Sequence, residues 1–329
     1  MRINRGMINS EIRFAGIIKG LGMKALFSSE RVLLLTRKLA KSVLMRTTSD
    51  ILDFEEVFIN KRSGGKVRAC IYKSSQIKEK STGVLWIHGG GYAIGAPEMD
   101  VGYAEKLITT ANCVIVSPDY TLSTEKPYPA AVDDCYETLL WMKENASNLG
   151  IRDNQIFVGG VSAGGGLTVA VTLMARDEGS VNIAFQMPLY PMLDDLMDSE
   201  SAKNNNAPIW NLNSNKLGWS MYLKGLSREQ TIPKYAAPAR ETDFSHLPPA
   251  YTFVGDIEPF YNETLAYIEN LQNAGVQAKV DVYEGCYHAF DIMCPKAGIS
   301  KQATNKMLDE FSFAVDNHFA LQDAGDDIT

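Results

Sequence analysis

No apolar run in this sequence approaches the ~20 residues needed to cross a bilayer, so no membrane-spanning helix is expected. Basic residues are outnumbered, 32 Lys and Arg against 39 Asp and Glu, and the net charge of −7 argues against nucleic acid as the main partner. Cysteine is sparse: Cys70, Cys113, Cys135, Cys286 and Cys294 form no C-x-x-C unit and are odd in number. Several fall in apolar strand or helix patterns, so buried free thiols are expected rather than disulfides or a metal cluster. Such thiols suit a reducing, cytoplasmic setting. Histidine is scarce too, with four in the chain, and any role for an imidazole must be filled from these four. Repeats and low-complexity blocks are absent. What remains is ordinary globular composition, 45% hydrophobic and 22% charged over 329 residues, enough for one large α/β domain or two small ones.

The charge is unevenly placed. Residues 1–50 hold ten Lys or Arg against three Asp or Glu, a balance of +7 that leaves −14 on the remainder. Within this arm Phe14, Ile17, Ile18 and Leu21 follow the i, i+3, i+4, i+7 spacing of an amphipathic helix. Val32, Leu35, Leu39 and Val43 continue the pattern after Ser28–Ser29, which suits a cap for a second helix. Charges interrupt every apolar core that a secretory signal would need, and no small-residue cleavage site follows. An organelle transit peptide and a membrane-surface helix are alternatives. The favoured expectation is two helices packed onto the domain as a lid or brace.

Beyond the arm, "EEVFINKRSGGKVRACIY" reads as a hairpin turning at Gly64–Gly65. Short apolar runs then alternate with longer amphipathic stretches: "VLWIH", "CVIVSPDY", "IFVGG", "IAFQMPLY", "YTFVGD" and "KVDVYEG" against 102–112, 130–148, 165–176, 261–274 and 298–318. Buried strands separated by helices predict an α/β fold with a mostly parallel sheet covered on both faces. The Asn-rich insertion 195–235 is expected to be a cap or loop excursion, and "DAGDDIT" a frayed acidic tail. In such a sheet, chemistry collects at the carboxyl ends of the strands.

One strand ends in "IFVGGVSAGGG", where Gly160, Ser162 and Gly164 read G-x-S-x-G between a strand and a helix. That arrangement fits a nucleophile elbow, a strained turn that lifts a serine out of the fold. A serine hydroxyl needs an imidazole to take its proton. His246 in "TDFSHLPPA" reads as a surface residue, and His318 sits late in the final helical stretch. His288 in "GCYHAF" follows a strand and comes after the serine, which makes it the expected base. His88 opens "HGGGY" directly after a strand and is expected to brace that loop by hydrogen bonding. Backbone N–H groups converge on an oxyanion only where side chains do not intervene, so those of Gly90 and Gly91, with Ala163 after the serine, are the expected oxyanion site. For the acid, "YTFVGDIEPFYNET" offers Asp256, Glu258 and Glu263, at least two of which should be solvated loop carboxylates. Tyr92, Tyr190, Trp210, Trp219 and Tyr287 suit a substrate pocket or plain core packing equally well.

In this order "HGGGY", "DYTLSTEKPYPAAVDD", "GVSAGGG" and "GCYHAF" resemble the hormone-sensitive-lipase-like family of α/β-hydrolase esterases, over about residues 83–315. The resemblance implies an α/β-hydrolase fold and hydrolysis of short-chain carboxylic esters through an acyl-enzyme, with neither metal nor organic cofactor. It implies an N-terminal helical cap as well, which would account for residues 1–48. The family's D-P-L element aligns with "EPF", which places Glu258 at the acid position. Two departures stand out. Val161 replaces the aspartate of G-D-S-A-G-G and removes a carboxylate beside the elbow, and Ala289 replaces the glycine of H-G-F. The resulting division is a helical arm over 1–50, a catalytic domain over 51–322 with 195–235 as a second cap segment, and a tail over 323–329. The expected partner is a small-molecule ester, without nucleic acid or stable membrane insertion, and with a homodimer left open. A deacetylase of acetylated carbohydrates or metabolites is an alternative, as is a non-catalytic ligand-binding protein on the same scaffold.

Overall fold

The computed structural model describes residues 1–45, 48–76, 80–226 and 231–322. The acidic tail 323–329 lies outside these. Two helices, α1 (Arg13–Leu26) and α2 (Glu30–Leu44), precede the hairpin of β1 (Asp53–Asn60) and β2 (Lys66–Lys73). Gly64 and Gly65 turn this hairpin at φ values of +90° and +79°, in the left-handed region that glycine enters freely. Strands and helices then alternate: β3 (Ser81–Ile87), α3 (Val101–Ala111), β4 (Cys113–Pro118), α4 (Ala130–Glu144) with the short α5 (Ala146–Leu149), and β5 (Ile151–Val161). After them come α6 (Ala163–Glu178), β6 (Phe185–Leu189), α7 (Leu212–Tyr222), β7 (Ala250–Gly255), α8 (Tyr261–Asn273) and β8 (Ala278–Tyr283), closed by α9 (Phe290–Met293) and α10 (Gly298–Asn317).

The strands form one sheet in the order β1-β2-β4-β3-β5-β6-β7-β8, antiparallel up to β4 and parallel beyond it. Apolar side chains alternate between its two faces. Leu85, Ile87, Val114 and Val116 join one core with α4 and α6, while Val84, Trp86, Cys113 and Ile115 join the other with α3 and α10. A strand buried on both faces has no polar alternation, which is why these segments read as unbroken apolar runs. The insertion 195–235 is not wholly irregular: it holds α7, capped by the Asn211 side chain on the N–H groups of Asn213 and Ser214.

The arm departs from expectation. Helices form, but the stripe of Phe14, Ile17, Ile18 and Leu21 faces outward, 73%, 37%, 53% and 66% exposed. The opposite face of α1 is the packed one. Gly16 lies against the Tyr287 ring, and the Tyr287 hydroxyl donates to the Ile12 carbonyl at 3.2 Å. The Glu11 carboxylate also accepts from the Gly298 and Ile299 N–H groups, tying the arm to the start of α10. On α2 it is Leu33 that is buried, whereas Leu35 is exposed; the Leu39 and Val43 side chains lie outside the described residues. Helical periodicity reveals that a face is apolar without saying which of two apolar faces meets the core.

Candidate active site

Ser162 stands between the last residue of β5 and the first of α6, with φ +59° and ψ −119°. That conformation is unfavourable for an L residue and persists because the strand and helix on either side are fully packed. Gly164 is required by close approach: a Cβ there would sit 2.0 Å from the Ile87 carbonyl oxygen and 2.5 Å from that of His88. Backbone cannot yield as a side chain can. Gly164→Ala should therefore lower unfolding free energy by about 3 kcal/mol, the upper range for overpacking. An unchanged urea midpoint would show the elbow to be looser than this.

The serine Oγ–H donates to His288 Nε2 at 2.8 Å. On the other side of the ring, His288 Nδ1–H donates to Glu258 Oε2 at 2.5 Å. The second Glu258 oxygen accepts from the Gly255 N–H at 3.1 Å, so the carboxylate is held from two directions. Glu258 is fully buried; burial pushes its carboxyl up from the ordinary range, and the His288 ring opposes the shift. A carboxylate on Nδ1 leaves Nε2 as the acceptor, the tautomer needed to take a proton from the serine.

The other two carboxylates are engaged elsewhere. Asp256 Oδ1 accepts from the Gly285 N–H at 2.7 Å, bracing the turn that leads to His288. Glu263 is not the solvated loop residue expected. It is buried on α8 and accepts from the N–H groups of Leu193 and Asp194, anchoring the segment after β6.

Beside Ser162 runs the loop after β3. Gly90 and Gly91 have φ of +117° and +60°, and a Cβ on Gly91 would strike the Trp210 ring at 2.3 Å. Their N–H groups and that of Ala163 have no backbone acceptor among the described residues. The Ala163 N–H is also one of the unsatisfied donors at the α6 N-terminus. His88 holds this loop: Nδ1–H donates to the Gly89 carbonyl at 2.8 Å, and the ring stacks on Tyr120 at 4.2 Å. Of the remaining histidines, His246 is exposed and His318 caps the end of α10 against Phe185. At Ala289 the backbone takes φ +57°, in the left-handed region that glycine would enter without cost.

Above the serine opens a cavity of about 520 Å³, walled almost wholly by apolar groups. Tyr190 and Trp210 line it, as do Met23 and Phe27 of the arm and Ile292 and Met293 of α9. Tyr92, Trp219 and Tyr287 do not. Tyr92 stacks on Tyr222 at 3.9 Å with Trp219 beside it, and Tyr287 packs under α1. Asp100 is a wall residue that motif reading missed. Trp86 Nε1–H donates to its carboxyl at 3.1 Å, and burial pushes that carboxyl up to about 7. No motif marks it.

A family model described as the alpha/beta hydrolase fold matches residues 84–292. The chain belongs to the α/β-hydrolase family, in its hormone-sensitive-lipase-like branch. Carboxylesterase NlhH of Mycobacterium tuberculosis is 31% identical to this hydrolase over 223 residues, covering 67% of this chain and 70% of that one. Esterase LipI of the same organism is 32% identical over 226 residues, covering 68% and 70%. Among solved structures, a bacterial heroin esterase superposes with a TM-score of 0.85 at 29% identity, covering 94% of this chain and 98% of its own. The hydrolase is an enzyme of the carboxylesterase-type serine hydrolase class. Among the described residues, none of its helices is long and apolar enough to cross a membrane.

Proposed function

We propose that this esterase cleaves short-chain carboxylic esters with Ser162 as nucleophile, His288 as general base and then acid, and Glu258 as the carboxylate that orients and stabilises the imidazolium. The unbroken hydrogen-bonded chain from Ser162 through His288 to Glu258, opening onto an apolar cavity, carries the proposal. Ser162 Oγ attacks the ester carbonyl as its proton passes to His288 Nε2. Gly90, Gly91 and Ala163 donate N–H groups to the oxyanion. The imidazolium then protonates the departing alcohol, leaving an acyl-serine. A water molecule gives its proton to the same nitrogen, attacks the acyl carbon and releases the acid. The arm over 1–50 acts as a cap and contributes one wall of the acyl pocket, and 195–235 adds Trp210 and Ile209.

The cavity has room for a drug-sized ligand but few groups to hydrogen-bond one. That argues against acetylated carbohydrate, whose hydroxyls would lose water without replacement. Five buried, unpaired thiols suit a reducing compartment, and we place the enzyme in the cytoplasm. The test is a series of p-nitrophenyl esters of rising acyl length. kcat/KM should peak at about two to six carbons and fall at least tenfold by about twelve, as the chain outgrows the pocket. A rising trend to twelve carbons would overturn the short-chain assignment.

A further inference from the structure

The outer face of α1 has no role in the chemistry above, yet it is the most apolar exposed stretch among the described residues of the arm. Phe14, Ile17, Ile18 and Leu21 form one stripe, opposite the face that packs on Tyr287. A helix apolar on two sides is ordinarily buried on both. Its charge is of one sign: α1 carries Arg13, Lys19 and Lys24 and no carboxylate. The carboxylates that flank it are engaged, Glu11 by the N-terminus of α10 and Glu30 by Lys224. Lys24 and Arg31 are exposed and form no ion pair among the described residues. An apolar stripe edged by unopposed cations is the composition of a helix that lies in a lipid interface.

The same elements frame the pocket. Met23 of α1 and Phe27 just after it line one wall, while Ile292 of α9 lines another and is itself 39% exposed. A second copy of this chain would set one +7 arm against another, which disfavours self-association through this face. The remainder of the chain carries −14 and would be repelled by the surface that attracts the arm. We propose that α1 docks the enzyme peripherally on an anionic lipid surface, with the stripe in the headgroup boundary and the pocket mouth beside it. Esters dissolved in the bilayer would then enter without crossing bulk water.

The test is sedimentation of the full chain with phosphatidylcholine vesicles, neutral or containing about 30% phosphatidylglycerol. Partition onto the anionic vesicles should be at least about tenfold stronger and should fall as salt is raised. Ile17→Gln, Ile18→Gln and Leu21→Gln together should reduce it by about tenfold or more, with kcat/KM on a water-soluble ester kept within about twofold. Lys24→Glu with Arg31→Glu should weaken binding as well, and serves if the triple variant folds poorly. Ser162→Ala should bind as wild type, which separates docking from catalysis. Equal partition onto neutral and anionic vesicles, or no binding, would overturn the proposal. So would light scattering that shows a dimer dissolved by the glutamine variant, since the stripe would then be covered by a second copy.

Discussion

Ser162→Ala should reduce kcat on a short-chain ester by about 10⁶-fold while leaving the protein folded. The serine Oγ makes one hydrogen bond, to His288, and the Ser162 N–H and carbonyl are held by backbone partners whatever the side chain. The turn conformation at φ +59° costs alanine no more than it costs serine. The melting temperature should therefore stay within a few degrees. Residual activity is expected from the oxyanion donors alone, a small rate above the uncatalysed one. A variant retaining a tenth of wild-type turnover would place the nucleophile elsewhere, and a variant that failed to fold would show that the hydroxyl holds the elbow together.

Much of this fold was legible because its strands are buried on both faces. Val84, Trp86, Cys113 and Ile115 serve one core and their neighbours the other, so each strand reads as a short apolar block between helical stretches. The juxtaposition of Ser162 and His288 was legible for a related reason. Ser162 directly follows β5 and His288 lies in the loop after β8, and parallel strands deliver their carboxyl ends to one edge. The arm was less legible. Spacing identified the stripe of Phe14, Ile17, Ile18 and Leu21, but the packing of α1 is decided by Gly16, which lets the Tyr287 ring approach the helix backbone. A glycine in a helix carries no apolar signal. Asp100 escaped for the opposite reason. It lies in a single turn of helix between the glycine loop and α3, and only the folded chain shows that it lines the cavity. Glu263 was misread as solvated because its partners, the N–H groups of Leu193 and Asp194, lie some seventy residues away in sequence.

Glu258→Gln should cost about 10⁴-fold in kcat, whereas Asp256→Asn should cost less than about tenfold. The two carboxylates stand two residues apart at the end of one strand, and their surroundings separate them. Glu258 Oε2 accepts the hydrogen bond of His288 Nδ1–H, and its Oε1 is fixed by the Gly255 N–H. A glutamine there would keep its carbonyl oxygen on Gly255 and turn its NH₂ toward the imidazole. Two donors cannot share a hydrogen bond, so Nδ1 would become the acceptor and the ring proton would move to Nε2. That nitrogen could then no longer accept from Ser162, and the imidazolium of the transition state would lose its anionic partner. Substrate binding does not involve this carboxyl, so KM should change little while kcat falls. Asp256 instead accepts the Gly285 N–H, a role that asparagine fills with the same oxygen. The melting temperature of Asp256→Asn should therefore stay within a few degrees, because the turn carrying Cys286 to His288 remains pinned there. Comparing kcat and KM for the two variants on one short-chain ester decides between them. If Asp256→Asn is the crippling change and Glu258→Gln the mild one, the imidazolium is stabilised by the other carboxylate and the 2.5 Å contact is incidental to catalysis.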